Sequence, residues 1–199
     1  MKNIFVFLIV FAFTNAVFSQ KKAKGKKILK TSIVLASATN VVFEMNKKNG
    51  VNQLYLLLGD KKDTLLVKSV SETTTIVANS GKIKPFISAA TPLLNITWIE
   101  NNISGDVKTK LENSTKINNE IWDVTARSQA FANVQTTTNI KEIVFLDRLK
   151  NASETQERNR KEGFEYTLLP NGDVSLVNKS IINVMVYNSS DKKYKFKKK

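Results

Sequence analysis

The chain has 199 residues, with 31 Lys plus Arg against 17 Asp plus Glu, no His, no Cys and a formal net charge of +14. The missing residue types exclude Ser-His-Asp and Cys-His nucleophile systems, thiolate chemistry, disulfides and zinc sites of the usual nitrogen and sulfur kind. A hydrophobic fraction of 42% with only 7 Gly and 3 Pro is the composition of a folding chain of one-domain length, neither collagen-like nor disordered.

The basicity is terminal. Lys21, Lys22, Lys24, Lys26, Lys27 and Lys30 follow an apolar leader, and Lys192, Lys193, Lys195, Lys197, Lys198 and Lys199 close the chain against Asp191 alone. Residues 31 to 190 carry 18 basic and 16 acidic groups, a balance of +2.

Residues 1–19 read as a secretory signal: Lys2 supplies the positive end, Ile4 to Phe13 an unbroken apolar run, and Val17 to Ser19 a site suited to cleavage before Gln20. The rival is an uncleaved anchor. Ile4 to Phe18, interrupted by Thr14 and Asn15, is shorter than the roughly 20 residues a span requires, although lysines directly after it run against the positive-inside tendency. The expectation is an exported protein, periplasmic or secreted, and without Cys not a lipoprotein. Residues 20–30 form a basic segment and 31–199 one β-rich domain with no internal repeat or linker.

Within the body the periodicity is two. Ser32 to Met45 and Leu54 to Leu58 read as well-buried strands, followed by Thr64 to Val70 after a turn at 60–63 and by Thr73 to Ala78 before one at 80–82. Leu93 to Glu100 alternates with Leu94, Ile96 and Trp98 on one face, and Glu120 to Ala126 puts Trp122 and Val124 together. Ile140 to Leu146 is a further strand. Asp147 to Gly163 prefers a solvent-facing helix or an ordered loop: it is poor in β-branched residues and pairs Glu154 with Arg158 and Glu157 with Lys161 at helical spacing, Gly163 ending it. Phe164, Tyr166 and Leu168 alternate up to Pro170-Asn171-Gly172-Asp173, a turn signal, and Val174 and Leu176 return from it as a hairpin. Ile181 to Tyr187 adds a third strand, and the tail alternates so that Tyr194 and Phe196 face in while its lysines face out. The fold class is therefore mainly β: a single antiparallel β-sandwich or barrel-like domain, with one short helix or ordered loop near 147–163 and a C-terminal β-meander.

Three groups of residues are candidates for chemistry. The acidic and basic cluster from Asp147 to Glu165 contains the paired carboxylates that glycoside hydrolysis needs, but its alternating signs describe a solvated face. Trp98 and Trp122 could form a platform for a sugar or an extended peptide, but both fall on apolar faces, the position of core residues. The terminal lysines, Lys21, Lys22, Lys24, Lys26 and Lys27 with Lys193, Lys195 and Lys197, could hold an anionic glycan, lipid head groups or another envelope protein, or simply keep the ends soluble and an edge strand unpaired. The scarcity of Arg and the absence of interleaved aromatics in the first cluster argue against specific nucleic-acid recognition. No motif calls for a cofactor or metal. The expectation is a non-catalytic binding or structural module of the cell envelope or extracellular space. Its alternatives are an electrostatic binder of anionic surfaces through the lysines, and a small-ligand or lipid carrier if the sheet closes around a cavity.

Overall fold

The computed structural model describes residues 32–60 and 63–197, so the leader and the first lysine cluster lie outside the described residues. Within them the chain forms fourteen strands, arranged as three antiparallel sheets, and no helix. Sheet I is β1 (Ser32–Ala38), β2 (Val41–Lys48), β3 (Val51–Leu58) and β4 (Asp63–Ser71), side by side in chain order. Sheet II follows with β5 (Thr74–Ile76), β6 (Lys82–Ser88), β7 (Thr91–Asp106), β8 (Lys110–Asp123), β9 (Ser128–Phe145) and β10 (Ser153–Glu162). Its spatial order is β10-β9-β8-β7, with β5 and β6 sharing the far side of β7. Sheet III is the expected C-terminal meander, β11 (Glu165–Leu168), β12 (Val174–Asn178), β13 (Ile181–Asn188) and β14 (Lys193–Phe196).

Sheet II is the middle layer. Leu35, Phe43, Leu54, Leu56 and Leu65 of sheet I pack on Leu94, Ile96, Trp98 and Trp122 of sheet II, while Leu93, Ile121 and Ala130 on its opposite face pack on Val174, Leu176, Tyr187 and Tyr194 of sheet III. The consecutive pairs Leu93-Leu94 and Ile121-Trp122 thus serve two cores, because successive side chains of a strand leave opposite faces. Phe43 meets Trp98 at 5.6 Å between ring centroids in the first core, and Phe131 and Tyr187 flank Tyr194 at 5.7 and 5.5 Å in the second.

Four expectations are corrected by this arrangement. Residues 32–45 are not one strand: the chain reverses at Thr39 and Asn40, where Asn40 takes φ 60°, a conformation Asn tolerates better than most residues. Residues 147–163 are not a helix or a loop throughout, since Ser153 to Glu162 is β10, paired residue for residue with Phe145 to Thr136 of β9. The ladder wins because the charges that sit at i,i+4 also find partners across the sheet: Glu157 meets Lys141 at 2.7 Å and Arg158 meets Glu142 at 3.5 Å. Gly163 does adopt the left-handed region, φ 86°, but to turn a strand out of sheet II, where a Cβ would lie 2.3 Å from the Val134 carbonyl oxygen. In β14 only Tyr194 faces in; Phe196 lies past the covering layer and is exposed.

Candidate functional site

Beyond the two cores sheet II continues. The outer parts of β7, β8 and β9 and all of β10 carry no member of either apolar cluster, and among the described residues no other sheet covers them. Short polar side chains knit this region across strands: the Thr115 hydroxyl donates to Asn101 at 3.0 Å, Ser114 and Thr138 share a bond of 3.0 Å, and Asn139 donates to Asn159 at 3.2 Å. Each such pair contributes about 0.2 to 1 kcal/mol. Glu112 of β8 and Arg160 of β10 approach to 3.9 Å across β9, over Thr138 and Ile140, which are nearly sealed from solvent. The result is a projecting sheet with two accessible faces. At its base a polar cleft of about 370 Å³, lined by Gln135, Lys161, Glu162, Glu165, Asn178 and Lys179, separates it from the end of sheet III.

Where the projecting part meets the first core there is a buried polar group that the sequence reading missed. Trp98 donates its indole N–H to Glu100 at 2.8 Å, and Trp122 donates to Glu120 at 2.8 Å. Lys68 reaches over from β4 to Glu100 at 2.7 Å and to the Asn118 side-chain oxygen at 3.3 Å, its ammonium 5.6 Å from the Trp98 ring centroid. Burial pushes the Glu120 carboxyl up from its ordinary range, with the bonds from Trp122 and Gln129 and the charge of Lys68 opposing and the charge of Glu100 adding to the rise. Among the described residues the buried amide nitrogen of Asn118 has no hydrogen-bond partner. The signal for this group was present as Trp98-Ile99-Glu100 and Glu120-Ile121-Trp122: at strand periodicity each Trp shares a face with the acid two residues away. Chemically the carboxylates are committed to indole and ammonium donors within the packing of sheets I and II, an arrangement that fixes sheet I on sheet II.

The candidates from the sequence fall as follows. Lys193 and Lys195 stand in solvent on β14, an edge of sheet III, with Lys197 immediately after it, and Lys195 pairs with Asp191. Lys21, Lys22, Lys24, Lys26 and Lys27 lie outside the described residues. Trp98 and Trp122 are core residues, 0% and 7% exposed, and form no platform. The acidic and basic cluster is spread along the exposed β10, the turn before it, where Asp147 accepts the backbone N–H groups of Asn151 and Ala152 at 2.9 and 3.1 Å, and the start of β11 at Glu165.

Other clefts are open to solvent. One of about 630 Å³ lies on the outer face of sheet I, against Glu44, Asn46, Gln53, Tyr55 and Thr64; an apolar one of about 610 Å³ is bordered by Phe86, Ile87, Pro92, Val124 and Pro170. Among the described residues each sheet is an open row of strands, not a closed barrel. Comparison with known proteins finds no matching family model, no similar curated protein and no similar solved structure.

Proposed function

We propose that the chain is an exported, non-catalytic β domain that acts as a binding or structural module of the cell envelope or extracellular space. The projecting part of sheet II is the surface it offers. The observation that carries this reading is that projection itself. Three strands of 16, 14 and 18 residues run on past the layers that cover them, into a region from which neither apolar cluster draws a member. A sheet so built contributes area to a partner more than stability to its own core. The engagement of Glu100 and Glu120 by Trp98, Trp122 and Lys68 supports the non-catalytic half of the reading. Export rests on the leader.

The test has two arms. Cell fractionation of the full chain is expected to place it outside the cytoplasm, shortened by the leader; a soluble cytoplasmic protein of full length overturns export. Mature protein immobilised against envelope extract is expected to retain a partner that is lost when Asn101, Thr115, Thr137 and Asn139, one face of the projection, are changed together to Glu with circular dichroism unaltered. Equal retention by both proteins removes that face as the binding surface. A second reading, attraction to anionic surfaces, draws on the exposure of Lys193 and Lys195 at a sheet edge. Heparin or anionic-vesicle retention that survives Lys193→Gln, Lys195→Gln and Lys197→Gln ends the part of that reading that rests on β14.

A further inference from the structure

Among the described residues the strand β10 ends sheet II with one side unpaired, and all ten of its residues are exposed. Such an edge presents a row of unsatisfied N–H and C=O groups, and charged side chains ordinarily keep other strands away from it. Here the order of the signs matters. Glu154, Gln156, Arg158, Arg160 and Glu162 share one face of β10, and Ser153, Thr155, Glu157, Asn159 and Lys161 the other.

A two-fold axis that pairs a strand antiparallel with its own copy must stand perpendicular to the sheet, so residues from the same face always come opposite each other. With the axis at Gln156, Glu154 of each copy faces Arg158 of the other, Gln156 faces its own equivalent, and the remaining opposite pairs are Thr155 with Glu157 and Ser153 with Asn159. No like charges are directly opposed. Arg158, 3.5 Å from Glu142 of its own sheet, would then stand between two carboxylates.

The same operation disfavours β14. In β14 an axis at Tyr194 sets Lys193 against Lys195, and an axis at Lys195 sets that residue against itself. In sheet I, β1 stands close to β6, and Gly81 lies so near that a Cβ there would come 2.5 Å from the Leu35 carbonyl oxygen. The edge strand β5 has only three residues.

We infer that β10 is a self-association edge, joining sheet II of two copies into one continuous sheet through antiparallel β10 pairing centred on Gln156. The paired stretch, Ser153 to Asn159 on each copy, is far short of the roughly 20 to 30 residues a side of stable interfaces, so the dimer is expected to be weak. This inference is independent of the export reading and of any other partner.

Sedimentation equilibrium of the protein over a concentration series up to roughly 500 µM is expected to show a monomer–dimer equilibrium. Arg158→Glu places Glu opposite Glu154 and is expected to weaken the dimer at least about tenfold. The exchange Glu154→Arg with Arg158→Glu restores the pairing with its signs swapped and is expected to recover association. Circular dichroism and urea denaturation of all three proteins check that β10 stays on β9, because Arg158→Glu also removes the contact with Glu142 in that ladder. A monomer at every concentration overturns the inference and leaves the charges as edge protection alone. A dimer that Arg158→Glu leaves intact, or that the exchange fails to restore, overturns the stated pairing.

Discussion

The inner and outer parts of sheet II belong to the same strands and the same ladder, yet they are held together differently. In the inner part β7 and β8 contribute Leu93, Leu94, Ile96, Trp98, Ile121 and Trp122, every one buried, to two separate cores. In the outer part the same strands carry Asn101, Asn102, Ser104, Asn113, Ser114 and Thr115, and the contacts are hydroxyl and amide pairs within the sheet. The change of character comes at Glu100 and Asn118, where Lys68 meets both. A strand therefore extends as far as its backbone ladder and cross-strand pairs support it, and the hydrophobic core decides only which part is anchored.

The comparison can be broken most directly at Trp98. Trp98→Ala removes the largest fully buried side chain and is expected to lower unfolding stability by about 3 to 5 kcal/mol. Ile103 lies on the outer part of β7 and is exposed, so Ile103→Ala is expected to change stability by no more than about 0.5 kcal/mol. Urea denaturation reads both, and equal losses would show that the two parts are not anchored differently.

The boundary is tested by Lys68→Ala. Removing one member of a buried ion pair costs roughly 3 to 5 kcal/mol, and the one-third exposure of the Lys68 side chain reduces this to about 2 kcal/mol. A loss near zero would mean that Glu100 is satisfied by Trp98 alone.

A smaller effect is expected from pH. Burial raises the pKa of Glu120, so the folded state holds its proton more tightly than the unfolded chain does. Its contribution is fully present below the ordinary carboxylate range and is lost as pH rises through the raised value. Glu120→Gln cannot ionise. The urea midpoint of the native protein should therefore fall relative to that of Glu120→Gln as pH rises out of the ordinary carboxylate range. Parallel curves would show that Glu120 titrates normally.

The anchored half was the legible half. Alternation around Trp98 and Trp122, the Pro170 to Asp173 turn and the four strands of sheet III are all visible as period-two patterns broken by turn residues. Residues 101–119 carried no such pattern, because a sheet with both faces accessible needs no apolar side. Residues 153–162 misled for a related reason: with every side chain in water, only charge spacing remained to read, and spacing that fits a helix also fits cross-strand pairs. The Trp-Glu bonds were open to inference from their spacing, whereas the part played by Lys68 depends on sheet I docking on sheet II.

Nearly all the strand pairing of this molecule is between neighbours in the chain: each of the three sheets is a meander, with β5 alone skipping a strand to reach β7. Ladders of this kind close short loops and form early, at little cost in chain entropy. Meeting of the sheets is the step that brings distant segments together. Folding of this chain is thus expected to be limited by the docking of three assembled layers, with the middle one as the template on which the other two converge.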